Sequence, residues 1–314
     1  MRVIAGLTGL ALAMFGLSAA DAATLIPIIP PSGAISGSLR VISINDHDAI
    51  AGAYATSDGN VHAFFGPLNG QYTSFDHQTH TSAVAINNKE IILGGSNDEG
   101  AFERLADGTF LSIKMGHTPM KYGGLRGLNN KGVFMGVGAF KKTWHCFYGR
   151  SGKYIGEFIT SLGDCTVDVN MDLSGINDAN AVVGDILTRN DERVHGFISQ
   201  NGVGRLIDYP DNSMKSTTIL GINDNGLTVG YWADTSGQYH AFKFDSIANT
   251  FTPLLPRANG SVALAVNQSG LIVLMTTEGF FVYCEKVARH CPTGGSFVAN
   301  ARPIRVAPDA RLNR

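Results

Sequence analysis

The chain has 314 residues, with 24 Lys and Arg against 26 Asp and Glu and a formal net charge of −2. That balance excludes a broad basic footprint for nucleic acid. With 16% charged and 44% hydrophobic residues it is not a disordered chain either, and 38 glycines without collagen periodicity imply many tight turns.

The N-terminus carries one positive charge, Arg2, followed by an uncharged stretch from Val3 to Ala20 rich in Ala, Leu and Gly. Ser18-Ala19-Ala20-Asp21-Ala22-Ala23 then offers small residues at the −3 and −1 positions of a cleavage site. This is the pattern of a secretory signal peptide. A transmembrane anchor is the competing reading, but the apolar core is short for a span and no basic stop-transfer cluster follows it. Residues 1–22 are therefore expected to be removed. No cysteine stands at the cleavage site to carry a lipid, and no later stretch is long and apolar enough to span a bilayer. The mature chain, from about Ala23, is expected to be exported, periplasmic or secreted, with no integral membrane segment.

From Val41 onward one unit recurs six times. Its clearest marks are Ile44-Asn45-Asp46, Ile86-Asn87-Asn88, Leu128-Asn129-Asn130, Ile176-Asn177-Asp178, Ile222-Asn223-Asp224 and Val266-Asn267-Gln268. The asparagines are spaced by 42, 42, 48, 46 and 44 residues. Seven residues after each stands Gly52, Gly94, Gly136, Gly184 or Gly230, and only the sixth unit departs, with Leu274. At this glycine content, five matches in six would arise by chance about once in several thousand trials, so the repeat is real. A third mark is His-x-Phe: His62-Ala63-Phe64, His145-Cys146-Phe147, His195-Gly196-Phe197 and His240-Ala241-Phe242. Units two and six read Gly100-Ala101-Phe102 and Gly279-Phe280-Phe281 instead, and the loop before them is shorter.

Each unit reads as a four-stranded antiparallel meander. A first strand ends at the Asn, whose side chain can bond nearby backbone in a turn, and a short β-branched run such as Ala181-Val182-Val183 makes the second. The Phe-bearing run is the third strand. The fourth is predicted at Gln71–Phe75, Thr109–Ile113, Lys153–Phe158, Arg205–Tyr209 and Thr250–Leu255. No segment has a long 3.6-residue periodicity. The expectation is an all-β chain, a six-bladed β-propeller of four-stranded antiparallel blades over residues 23–283. The missing fourth strand is expected from Leu25–Ile29, so that the N-terminal strand closes the ring; Phe297–Val306 in the tail is the alternative.

At these residues the chain resembles the HAF-type extracellular repeat proteins, named for the His-Ala-Phe of the repeat. His62-Ala63-Phe64 and His240-Ala241-Phe242 match literally, and Gly221-Ile222-Asn223-Asp224-Asn225-Gly226-Leu227-Thr228-Val229-Gly230 resembles the accompanying stretch. The likeness covers about Val41 to Val282 and departs in units two and six and in the tail. It implies an exported bacterial propeller-like protein and brings no catalytic residue with it.

Cys146, Cys165, Cys284 and Cys291 all lie in the mature chain. In an oxidising compartment they suggest two disulfides, with three pairings open; proximity favours Cys146–Cys165 and Cys284–Cys291, the latter a short loop in a tail of residues 284–314. The spacings do not suit zinc, and no metal or cofactor motif is present.

A residue present in most blades is expected to be scaffold, including His62, His145, His195 and His240. Function is sought where the repeat breaks, on the face carrying the loops between strands two and three and those joining one blade to the next. There the candidates are His77 and His80, His117, and Asp168 within the longest insertion, as a base and an acid for sugar chemistry. The spacing His77-x2-His80 is compatible with chelation, without regular structure to fix it. Tyr122, Trp144, Tyr231 and Trp232 are candidates for stacking on a sugar or anchoring a partner. The leading expectation is a non-enzymatic binding module for an extracellular glycan or a protein. The alternative is a propeller hydrolase or lyase acting on a polysaccharide.

Overall fold

The computed structural model describes residues 23–115, 118–119, 123–140, 143–163, 165, 170–188, 191–256, 258, 260–285 and 291. They form strands and turns without a helix, arranged as a six-bladed propeller. Blade 1 consists of Arg40–Ile44, Ala49–Ala55, Val61–Pro67 and Thr73–Phe75, each antiparallel to the next. Blades 2 to 5 repeat the meander over residues 82–112, 123–157, 170–207 and 214–253. In the sixth sheet the strands Val262–Val266, Ile272–Thr276 and Gly279–Glu285 are joined by Ala23–Pro27. That strand lies antiparallel along Gly279–Glu285, with Ala23 opposite Glu285 and Pro27 opposite Phe281. Cys284 thus sits inside the sixth sheet.

The asparagine of each unit builds its turn and joins its blade to the next. Asn45 Oδ1 accepts the N–H groups of His47 (3.0 Å) and Ala49 (2.9 Å), closing the turn between strands one and two. The third residue after each Asn has a positive φ: Asp48, Glu90, Gly132, Asn180, Gly226 and Gly270. Meanwhile Asn45 Nδ2 donates to the carbonyl of Asn87 at 3.0 Å, and the same bond runs from Asn87 to Asn129, Asn129 to Asn177, Asn177 to Asn223, and Asn223 to Asn267. Asn267 completes the circle on Asn45. All six asparagines are buried, so each amide left unpaired would carry a desolvation penalty of about 1–3 kcal/mol.

The inner strands share a second device. Every one has a β-bulge three residues before its Asn, at Ile42, Val84, Arg126, Ser174, Leu220 and Leu264. A bulge sharpens strand twist locally, which suits a strand that must turn about the axis.

The recurrent glycine and phenylalanine are strand partners: Gly52 opposes Phe64, Gly94 Phe102, Gly136 Phe147, Gly184 Phe197 and Gly230 Phe242. A Cβ on Gly184 would lie 2.0 Å from the carbonyl oxygen of Asp172 and 2.9 Å from the Phe197 ring. Glycine is required by that closeness. In blade 6 Leu274 opposes Phe281, and there the leucine is fully buried while the phenylalanine is only half-buried. One bulky side chain replaces the other.

The core is divided into six apolar clusters, one at each junction between neighbouring blades. Cys146 bonds to Cys165 and Cys284 to Cys291, with Cα–Cα distances of 5.1 and 5.7 Å. The first ties blade 3 to the linker leading into blade 4.

Candidate functional site

Two places on the molecule concentrate polar side chains: the axial mouth on the face of the Asn turns, and the opposite face, where the loops between strands two and three and the interblade linkers lie.

At the axial mouth a cavity of about 70 Å³ is walled by Ile44, Ile86, Leu128, Ile176, Ile222 and Val266 and rimmed by polar side chains. The rim is the residue after each Asn: Asp46, Asn88, Asn130, Asp178, Asp224 and Gln268. Each accepts, through a side-chain oxygen, the N–H of its counterpart in the preceding blade, at 2.7–3.0 Å. Asp46 Oδ2 also takes the amides of Asn88 (2.7 Å) and Asn130 (3.3 Å). This second ring therefore uses its polar atoms to hold blades together. Among the described residues no group of three His, Cys, Asp or Glu side chains could hold a metal ion.

On the opposite face the histidines of His-x-Phe are tied down in each blade that has one. His62 meets Asp76 through Nδ1 (2.9 Å) and Thr56 Oγ1 through Nε2 (3.0 Å). His195 meets Asp208 through Nδ1 (2.8 Å) and both Asp191 (3.1 Å) and Thr188 (3.3 Å) through Nε2. His240 Nε2 lies 3.0 Å from Asp234, and His145 Nδ1 lies 3.1 Å from Glu157.

A hydroxyl, an imidazole and a carboxylate in line suggest nucleophilic catalysis, but the polarity is wrong. Thr56 Oγ1 donates its hydrogen to Asp58 at 2.5 Å, so it can only accept from His62 Nε2–H. A nucleophile would have to give that hydrogen to the imidazole instead. The Thr56 bond, followed by those from Asn60, holds the Asp58 carboxyl down at about 2. Thr188 binds Asp191 in the same way, and with the added bond from His195 its carboxyl is held at about 2. Asp234 is depressed first by Ser236 and then by His240. Burial works against charge on His195, but its bonds to Asp191 and Asp208 outweigh that and raise its pKa. Blades 1 and 4 share this arrangement, and blade 5 keeps the histidine–carboxylate contact with Asp234 bonded by Ser236 in place of the threonine. Hydrogen bonds used within repeated blades are how a scaffold behaves.

The sequence candidates separate in three dimensions. The His77 ring stacks on Phe110 (4.3 Å between centroids, 11°) and meets Phe102 edge-on. Tyr209 does the same three linkers later, stacking on Trp232 and packing against Phe242 and Phe251. The two are counterparts: each follows an Asp that binds a histidine, and each donates its N–H to a buried threonine, Thr81 or Thr217. His77 is thus a packing residue, whereas His80 is exposed, with φ +50°, and its charge helps to lower the Asp98 carboxyl behind the bonds from Thr79. Neither histidine belongs to a group of three or more His, Cys, Asp or Glu side chains that could hold a metal ion among the described residues.

Tyr231 and Trp232 are buried, at 9% and 8% exposed. Trp232 is stacked on Tyr209 at 4.9 Å and on His240 at 4.3 Å. Burial raises the Tyr231 phenol to about 12, with a bond to Thr218 working the other way. Neither ring offers a free face for a sugar. Trp144 is 41% exposed, at the loop-face end of blade 3. His117, Tyr122 and Asp168 lie outside the described residues. Arg126 and Asp172, from neighbouring inner strands, form a two-point ion pair at 3.0 and 3.3 Å that the repeat pattern does not announce.

No known family profile matches the chain, and no curated protein sequence matches it. Similar solved structures include β-propeller domains. TolB from Acinetobacter baumannii has a TM-score of 0.52 and 12% identity, over 76% of this chain and 64% of TolB. The acylaminoacyl peptidase of Pyrococcus horikoshii has a TM-score of 0.49 and 8% identity, over 86% of this chain and 48% of the peptidase. The β-propeller domain of the Trilobed protease from Pyrococcus furiosus has a TM-score of 0.48 and 11% identity, over 79% of this chain and 83% of that domain. The chain thus spans less than two thirds of the first two proteins, and at these identities the likeness concerns the fold alone.

Proposed function

We propose that this protein is an exported, non-enzymatic binding propeller of the HAF-repeat kind, which presents the loops of blades 1 to 3 to an extracellular glycan or a protein. The observation that carries the reading is the repetition of the histidine–carboxylate networks in blades 1, 4 and 5, with their hydrogen bonds used internally. Chemistry requires groups converging on one reacting atom, whereas equivalent residues of different blades stand around a ring. Export is supported by the leader pattern, by the two disulfides and by the lack, among the described residues, of a helix long and apolar enough to cross a membrane.

Trp144 and His80 are the exposed candidates on this face, with His117, Tyr122 and Asp168 the neighbouring ones in sequence. The test incubates the mature chain from Ala23 with plant, fungal and bacterial polysaccharides, reading both bound protein and released oligosaccharides. Binding without products, reduced about tenfold or more by Trp144→Ala, is the expected outcome. Released products that vanish in His80→Ala or His117→Ala would overturn it in favour of a polysaccharide hydrolase or lyase. Neither binding nor products would move the reading to a protein partner.

A further inference from the structure

Exposed large apolar side chains are distributed unevenly around the disc. Among the described residues five of the nine, Ile155, Ile159, Val203, Leu206 and Ile247, lie along the outer strands and turns of blades 3 to 5. Val203 is 71% exposed, where the turn after strand three of blade 4 enters its outer strand, and Ile247 is 83% exposed in the corresponding turn of blade 5. The two turns adjoin, because Arg205 donates to Ser246 O (3.0 Å) and Asn249 Oδ1 (3.3 Å). Ile159 adjoins them from the other side, since the next linker residues hold the blade 4 turn through Ser161 N to Gly202 O at 2.7 Å.

Cations accompany this strip. Arg150, Lys153 and Arg205 are exposed, and none is paired with a carboxylate among the described residues. The nearby acids are engaged: Asp245 caps its own turn through the N–H groups of Ile247 and Ala248, and Glu157 holds His145. In a chain of net charge −2, a rim combining protruding aliphatics with unpaired cations is complementary to an anionic, apolar surface.

We propose that the rim of blades 3 to 5 docks on an anionic lipid surface, inserting Val203 and Ile247 between headgroups while Arg150 and Lys153 meet phosphate and Arg205 holds the two turns together. The tips protrude singly and are separated by polar turn residues such as Asn201, Ser246 and Asn249. A fluid interface admits separate tips, whereas a protein hot spot needs a packed, desolvated centre. Attachment would be peripheral and reversible, through partial burial of a few side chains plus charge.

The experiment is co-sedimentation of the mature protein with vesicles of phosphatidylcholine alone, or with about one third phosphatidylglycerol. Binding to the anionic vesicles only, weakened by salt, is expected. The double variant V203D/I247D should reduce it about tenfold or more, and R150E/K153E by a similar factor. Both variants change exposed positions, and an unchanged thermal transition confirms folding. No binding to anionic vesicles overturns the proposal, as does binding that both variants leave intact. Self-association that V203D/I247D abolishes, without vesicle binding, would overturn it in favour of a second copy of the chain.

Discussion

Asn267 donates its side-chain amide to the main-chain carbonyl of Asn45 at 3.1 Å, across 222 residues of sequence. The bond is chemically the same as the one between every other pair of neighbouring blades. One residue therefore does two jobs: its oxygen orders a local turn, and its nitrogen orders the ring. Aspartate could do the first and not the second, because an ionised carboxylate has no donor. That is why the turn residue is Asn in all six units, whereas the next position, which needs only an acceptor, is Asp, Asn or Gln.

Substitutions at adjacent positions should therefore differ sharply. Asn177→Ala removes the donor to Asn223 O (3.1 Å) and the acceptor for Ala179 and Ala181 N–H (3.0 and 2.9 Å) inside a buried joint. A loss of about 3 kcal/mol is expected, and Asn177→Asp should lose at least as much by burying a charge against a carbonyl. Asp178→Asn keeps an acceptor for Asn130 N–H and should cost less than about 0.5 kcal/mol. Urea denaturation of the three variants checks the order.

The glycine seven residues on offers a second contrast. Gly230→Ala places a Cβ 2.0 Å from Thr218 O, so the strand pair must part; about 3 kcal/mol or more is expected. Gly95→Ala, with nothing nearer than 3.8 Å, should be close to neutral. At Leu274, the sixth-blade counterpart, the same logic inverts: Leu274→Gly empties a fully buried position and should also cost about 3 kcal/mol or more. Thermal melts of the three variants decide.

The propeller was legible because its marks repeat. Six asparagines and five glycines at fixed offsets reveal strand ends and close strand pairs even without neighbours in view. Candidate sites were less legible, because loop residues were weighed by chemical type and a side chain's surroundings are set by a neighbouring blade. His77 looked like a ligand and is a stacked ring equivalent to Tyr209; aligning the Asp that precedes each would have revealed it. Trp232 seemed a loop aromatic, yet Tyr209 arrives from the blade 4 linker to cover it. The bulged Arg126 and its partner Asp172 stand 46 residues apart on different blades, a pairing no local pattern carries.

His195 makes stability depend on pH. Its folded-state pKa lies above the ordinary 6.5, so its stabilisation is complete below that value and is lost as pH rises through the raised one. Asp191, held at about 2 against an ordinary 3.8, contributes above 3.8 and loses its contribution as pH falls toward 2. The stability difference between wild type and His195→Asn should therefore be largest between about pH 4 and 6.5 and shrink on both sides. Melting both proteins across pH tests this; a difference that does not vary with pH would refute it.

The disulfides should contribute unequally. Cys146–Cys165 spans 19 residues and Cys284–Cys291 only 7, so loop entropy predicts about 3.3 and 2.5 kcal/mol. Replacing both members of each pair by Ala and comparing chemical denaturation tests the ranking.

Glu103 gives the last prediction. It is 2% exposed between blades 2 and 3, with one oxygen taking the Gly152 N–H and Oε2 without a partner. Burial raises its pKa, with the Gly152 bond working the other way. A carboxyl of this kind favours the folded state most when protonated, so its contribution is complete below the ordinary value of 4.5 and falls as pH rises through the raised one. Glu103→Gln keeps a carbonyl for Gly152 and removes the buried charge. It should be roughly neutral at acidic pH and stabilising at alkaline pH. Urea midpoints of wild type and variant at the two pH extremes measure this, and a variant less stable at alkaline than at acidic pH relative to wild type would contradict it.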